Sequence, residues 1–316
     1  MKKFMVTCVV LLVIVVVTGG VLAAEQTEYK ISALEVQNNN NISEDEILAK
    51  VDAEIGDTLT KDQLKKDLQS VYNLGHFQSV KPHLKSYQDG VKVIIEVVEH
   101  PVLKEVKFKG TKVFKKSKMI DWLGLEQGKV INMVKLRKGI KELEQKYQNQ
   151  GYIPTNKYPG GYHYVDFDNL NVSSEGIVTI PVNVGHLNEL TIKGNQKTKD
   201  FVIKREFDFH QGEVLKIEEV QESLQDLYKL NYFEEINPQP LERIKGSNKV
   251  NLTINFVERK TGTLNFGGGY SSKNGWIGLV NIKEQNLLGN GQHLSFKWEF
   301  GGTDHLSLDF YEPRLL

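Results

Sequence analysis

The sequence has almost no cysteine. Its single thiol, Cys8, sits inside the first apolar run of the 316-residue chain. No disulfide framework and no thiol nucleophile can therefore be built downstream of it. An excess of one charge is also missing: 40 Lys and Arg stand against 40 Asp and Glu. Nothing in that balance asks for nucleic acid or another polyanion. The eight histidines are scattered, with no His-Glu-x-x-His and no paired metal spacing, so no metal or catalytic constellation emerges. "FGGGY" at 266–270 lacks the Lys-Ser/Thr of a phosphate-cradling loop and opens onto a strand. No cofactor and no enzyme activity are expected.

Apolar runs long enough to span a bilayer as a helix are missing too. The run at 4–17 is shorter than the roughly 20 residues such a helix needs. Lys2 and Lys3 precede it and the small residues of "VLAA" follow. This layout predicts a secretory signal over 1–24, cut after Ala23 or Ala24; the alternative is an uncleaved anchor. Removal of Lys2 and Lys3 leaves a net charge of −2. The whole chain is 40% hydrophobic, which supports two or three packed domains without disulfides.

What the chain does have is repetition. "SVYNLGHFQSV" at 70–80 returns 156 residues later as "DLYKLNYFEEI" at 226–236. Three alternating segments, "SALEVQN", "LKEVKFKG" and "LNELTIKG", align Leu34, Val106 and Leu190, with Val36, Phe108 and Ile192 two places on. Each reads as a strand with one buried face. Ser43 with Glu46, and Thr60 with Gln63, form capping-box patterns ahead of helices. Leu64, Leu68, Val71 and Tyr72 make one helical stripe; Val220, Leu224, Leu227 and Tyr228 repeat it, and Leu136, Ile140 and Leu143 keep it in the middle copy.

Gly75, Gly151 and Asn231 are the expected helix stops, because the residue past a helix end adopts the left-handed conformation that glycine and then asparagine tolerate best. In the middle copy the stop lies four residues farther on, about one extra turn. Phe77 and Phe233 follow as core residues, and each copy closes in a hairpin: "VKPHLKSY" with "VKVIIEVVE", and "INPQPLERI" with "VNLTINFVE". The unit is β-α-α-β-β, an α+β fold with helices on one face of a small sheet.

From Gly262 the composition shifts to glycine and strict alternation. "TLNFGGGY", "WIGLVNIKE", "LSFKWEF" and "LSLDFY" predict four antiparallel strands. Leu264, Phe266, Leu294, Phe296, Trp298, Phe300, Leu306, Leu308 and Phe310 share one side and are the candidate lipid-facing residues. Alternation by itself fits a soluble half-buried sheet equally well. The large aromatic side chains and the tight turn in "NLLGNGQ" favour a barrel.

The third copy, "IKGNQKTKDFVIKREFDFHQGEVLKIEEVQESLQDLYKLNYFEEI", resembles the barrel-proximal POTRA (polypeptide-transport-associated) domain of the BamA-like outer-membrane assembly family. "GGGYSSKNGWIGLVNIKEQNLLGNGQHLSF" is similar to the opening strands of that family's barrel, and "FYEP" to the strand end that follows. The resemblance implies a signal peptide at 1–24, POTRA domains at 28–100, 101–185 and 186–259, and the start of a transmembrane β-barrel at 262–316. The middle copy departs most, with a Gly, Tyr and Asp rich insertion at 158–171; Val184-Gly185 stands where members often carry Glu-Gly. Residues 262–316 hold about four strands, whereas a closed barrel needs about eight, so a fragment is expected.

The implied role is capture of unfolded outer-membrane proteins by POTRA domains in the periplasm and their insertion at the barrel, with outer-membrane lipid and accessory assembly lipoproteins as further partners. A TamA-like or two-partner secretion transporter is the related alternative. A periplasmic protein-binding scaffold is the alternative from another class. The candidate client-binding edge is 235–243 (Glu235, Ile236, Asn237, Gln239, Leu241, Arg243), where Pro238 and Pro240 mark an edge because they cannot donate to a ladder.

Overall fold

The computed structural model describes residues 29–110, 113–273, 275–302 and 304–314. The expected signal at 1–24 lies outside the described residues. The first repeat runs β1 (Tyr29–Gln37), α1 (Glu44–Leu48), β2 (Thr58–Leu59), α2 (Lys61–Tyr72), β3 (Phe77–Tyr87) and β4 (Gly90–Glu99). The middle stretch has β5 (Glu105–Gly110), α3 (Lys116–Leu123), α4 (Met133–Asn149), β6 (Asn156–Tyr158), β7 (Gly161–His163), β8 (Asn171–Val172) and β9 (Ile177–Val182). The third repeat follows as β10 (His186–Lys193), α5 (Asp200–Lys204), α6 (Ile217–Lys229), β11 (Phe233–Pro238), β12 (Glu242–Arg243) and β13 (Lys249–Glu258). A meander ends the chain: β14 (Gly262–Ser271), β15 (Gly275–Leu287), β16 (Gln292–Phe300) and β17 (His305–Tyr311).

All three repeats use one pairing rule. The first strand lies parallel to the last, β1 to β4, β5 to β9 and β10 to β13, and the last strand is also antiparallel to the strand before it. The last strand is thus central, and its alternation is correspondingly apolar: Val91, Val93, Ile95 and Val97 are buried in the first repeat, Val250, Leu252, Ile254 and Phe256 in the third. Helices cover one face through their stripes, Leu64, Leu68 and Val71 on α2 and Leu227 with half-buried Val220 and Leu224 on α6. Tyr228 does not join that stripe; it is half exposed and donates its hydroxyl to the Ile236 carbonyl at 3.1 Å. The middle copy's sheet is short on the β8 side, and part of its insertion forms the separate β6–β7 hairpin. Its α4 has 17 residues against 12 for α2 and 13 for α6, which accounts for the shifted register of its stop.

Backbone packing divides the chain into two compact units. One comprises the residues up to Lys146 with Val165–Val182; the other comprises Tyr147–Tyr164 with Asn183–Leu316. Residues of the middle repeat thus contribute to both units.

Caps explain where the helices begin and end. Ser43 and Thr60 accept from the Glu46 and Gln63 N–H groups at 3.3 and 3.2 Å, each satisfying an otherwise orphan donor. Gly75, Gly151 and Asn231 are left-handed, with φ of 83°, 72° and 60°. Their surroundings differ. A Cβ at Gly75 would lie 2.6 Å from Asn132 Oδ1 and 2.9 Å from Val134 Cγ2, whereas at Gly151 the nearest atom is 3.6 Å away. Asn231 uses its side chain, which accepts from Arg259. Glycine at 75 is thus required twice, by backbone conformation and by a close neighbour.

A second repeated device was not among the expectations. The glutamate ending the last strand, Glu99 or Glu258, reaches across to hold the loop after the first strand. Glu99 accepts from the Asn41 and Ile42 N–H groups, both at 2.9 Å; Glu258 accepts from Gln196, Lys197 and Thr198 N–H at 2.9, 2.7 and 2.5 Å. Burial alone would raise both carboxyls, but these hydrogen bonds outweigh it and hold each below its ordinary value. Folded values below the unfolded ones mean stability that is complete above the ordinary glutamate range, about 4.3, and lost as pH falls through the lower folded values.

Two expectations follow. Gly75→Asn, although it copies the third repeat, destabilises its unit by about 2–3 kcal/mol through overpacking, while Asn231→Gly changes stability by less than about 1 kcal/mol; denaturant unfolding of both variants checks this. Replacing Glu99 and Glu258 together by Gln costs about 1 kcal/mol per site at neutral pH and flattens the acid side of the unfolding midpoint plotted against pH. An unchanged acid limb would show that other carboxylates set it.

Candidate functional site

Side chains of a strand alternate between faces, and the register of the meander turns that alternation into rows. Leu264 faces Ile282, Ile282 faces Phe296, and Phe296 faces Leu308; in the adjacent row Phe266, Val280, Trp298 and Leu306 line up. Leu294 pairs with Phe310, and Tyr270 with Trp276. Phe300 lies across Gly278, where a Cβ would sit 2.3 Å from its ring, so the aromatic ring covers the bare backbone. All nine candidate lipid-facing residues share this face, and Tyr270, Trp276, Val280 and Ile282 extend it. Three of those four, Trp276, Val280 and Ile282, alternate within the string "WIGLVNIKE".

Among the described residues no helix or strand covers this face. Phe266 is 74% exposed, Leu306 70% and Leu308 69%; Leu294 and Phe296, in the centre strand, are half-buried by their row neighbours. The opposite face carries Ser295, Lys297, Glu299, Ser307 and Asp309, with Lys297 and Glu299 paired at 3.1 Å. Burying one large apolar side chain is worth about 1.5–3 kcal/mol, and contiguous apolar patches beyond a few hundred Å² mark interaction surfaces. An uncovered face of this size calls for a non-aqueous partner. Among the described residues no helix is long and apolar enough to cross a membrane, which says nothing about crossing by strands.

The edge candidate is more restricted than its sequence suggested. β11 is the outer strand of the order β10-β13-β11, with β12 continuing along β13. The Gln239 N–H donates to the Thr253 carbonyl at 2.8 Å, so by antiparallel alternation Ile236 and Pro238 turn their backbone groups to the open side. There the Ile236 carbonyl already accepts from Tyr228, and Pro238 has no N–H. The side chains of Ile236 and Leu241 belong to the core. Arg243 is engaged elsewhere: its Nε donates to the Pro154 carbonyl at 2.9 Å and its guanidinium stacks 3.9 Å from the Tyr162 ring centroid. Glu235, Asn237 and Gln239 remain exposed. Residue type and prolines located the edge, but they could not reveal a helix hydroxyl that caps it.

A polar junction, also missed from sequence, ties the third repeat to the meander within the second unit. The turn between β15 and β16 seats Gly289 so closely that a Cβ would lie 1.8 Å from the Lys197 carbonyl, at φ of 77°. Its carbonyl accepts from the Lys199 N–H at 2.9 Å. Asn286, 1% exposed, donates to Thr198 Oγ1 and accepts from the Gly291 N–H, each at 2.8 Å. Tyr232 donates to the Gly291 carbonyl at 3.1 Å. Lys197 meets Glu284 at 3.0 Å and Thr261 at 2.8 Å. Beyond β17, Arg314 reaches the buried Glu206 at 2.6 Å. A buried amide satisfied on both sides specifies one geometry. The signal for it was the Gly and Asn turn, read only as a strand connection.

Comparison with known proteins converges on one family. The POTRA family model, described as a surface antigen variable number repeat, matches residues 29–100, 101–158 and 186–259. The chain is 25% identical over 273 residues to the chloroplastic outer envelope protein 80 of rice, covering 81% of this chain and 39% of the relative. It is 27% identical over 192 residues to the outer membrane protein assembly factor BamA of Neorickettsia risticii, covering 60% of this chain and 25% of that protein. The chain thus spans only a quarter to two fifths of these relatives. The solved N-terminal domain of Omp85 from Thermosynechococcus elongatus superposes with a TM-score of 0.64 at 26% identity, over 75% of this chain and all of that domain. With three matched repeats that together cover more than half its length, the chain belongs to the POTRA family, as a BamA-like member of the Omp85 group at the outer membrane with its repeats on the periplasmic side.

Proposed function

We propose that this chain acts in outer-membrane protein assembly without catalysing a reaction. Its three repeats, taken as 28–100, 101–185 and 186–259, stand in water and hold unfolded barrel proteins; its meander lies in the membrane, where the held segments are delivered. The observation that carries this reading is the uncovered apolar face from Leu264 to Phe310, which is fastened through Asn286 and Gly289 to a repeat whose sheet ends in an edge. An extended client added to such an edge is held chiefly by main-chain hydrogen bonds, so many sequences are accepted. The partly capped edge of β11 favours short, transient contacts over tight retention, which suits a protein that must release what it holds. Three POTRA matches fit assembly better than a two-partner secretion transporter, whose usual number is two.

A photo-crosslinking residue at Asn237 or Gln239 is expected to capture an unfolded outer-membrane protein about fivefold more than one on the exposed α2 position Lys65. Equal capture at all three positions would remove β11 from the client path.

A further inference from the structure

A cleft of about 460 Å³ opens in the first compact unit, where the end of α2 and the start of β3 face the first turn of α4 and the turn after β8. This volume is in the range of small-molecule sites. Its apolar lining comes from the partly exposed Tyr72, Met133 and Val172, with the core residue Phe77 behind them. The rim carries Arg137, His100, Ser173 and Ser174, and no carboxylate lines the cleft.

Its charge is unbalanced. Arg137 is exposed and enters no ion pair among the described residues. Beside the cleft, His76 contacts the Asn132 amide through Nε2 at 3.0 Å, while its Nδ1 is buried without a partner. Burial first, and then the positive fields of His76 and Arg137, hold His100 below the ordinary imidazole range. The first turn of α4 lies at the same place, but its N–H groups are already taken by the Gly75 carbonyl and by Asn132, so the charge offered to a ligand is that of Arg137. Cationic and hydroxyl groups over an apolar floor, with no counter-charge, define the ligand they lack.

We propose that this cleft binds an organic carboxylate, its apolar body on Met133 and Val172 and its charge at Arg137 with the Ser173 and Ser174 hydroxyls. The shared chemistry can come from a free small acid or from an acidic side chain next to an apolar one on an extended polypeptide. Because the walls come from both α2 and α4, the bound carboxylate links the first repeat to the middle one. The inference does not depend on the assembly reading.

Isothermal titration of the full chain in detergent tests it with three probes: 3-phenylpropionate, its neutral amide, and the blocked dipeptide N-acetyl-phenylalanyl-glutamyl amide. A carboxylate probe is expected to bind saturably, and the neutral amide about tenfold more weakly. Arg137→Gln is expected to weaken the carboxylate about tenfold with an unchanged unfolding midpoint, because Arg137 is exposed. Val134→Trp, which places a ring in the cleft from an exposed position, is expected to abolish binding. Binding of the free acid alone assigns a small-molecule source, and binding of the dipeptide alone a polypeptide one. No saturable binding by any probe, equal affinity for the neutral amide, or undiminished binding to Arg137→Gln would overturn the proposal.

Discussion

An apolar sheet face that none of the described residues covers is the constraint on which the rest of this molecule depends. Water does not stabilise thirteen large apolar side chains arranged in continuous rows, and the polar reverse face prevents the sheet from simply burying itself on both sides. A bilayer satisfies the apolar face at no cost in specific contacts, and the antiparallel ladders satisfy the backbone within the sheet. The adjoining repeat has the opposite requirement. Its helices are charged at their ends, with Asp200, Glu218 and Glu219 in first turns and Lys204 and Lys229 in last turns, and its core, which includes Leu187, Val202 and Phe256, is closed over by its own side chains.

Two materials suited to different solvents must therefore be joined without a floppy connection. The junction does this with small and polar groups. Gly289 lets one backbone touch another, Asn286 is satisfied on both sides, and Lys197 gathers Thr261 and Glu284. Apolar packing there would have been less specific, because non-directional contacts do not fix an angle. The directional bonds define where the sheet begins relative to the third repeat and its β11 edge.

The repeats were legible from sequence because their information is local. Period-two and period-3.6 patterns, the capping serine and threonine, and the Gly or Asn stops all act within a few residues of their position. The parallel placement of first and last strands followed less directly, since it requires a crossover that no short window contains. Glu99 and Glu258 show the boundary well. Both end their quoted hairpin strings, so the repetition was visible, but their partners lie about 60 residues upstream. Arg243 and Tyr228 failed for the same reason: alternation tells which face a residue takes, and it does not tell which distant carbonyl or ring waits there. The cleft by Arg137 was invisible because its walls come from four separate stretches.

The meander was half legible. The residues expected on one side do line up in common rows, yet a pattern of alternation cannot distinguish lipid from a protein cover. Trp298, in the middle of that face, reports the answer directly. With Trp122 and Trp276 replaced by Phe, the full chain reconstituted into vesicles should have its fluorescence quenched by lipids brominated on their acyl chains and little affected by aqueous acrylamide. Quenching by acrylamide with no response to the brominated chains would contradict the account.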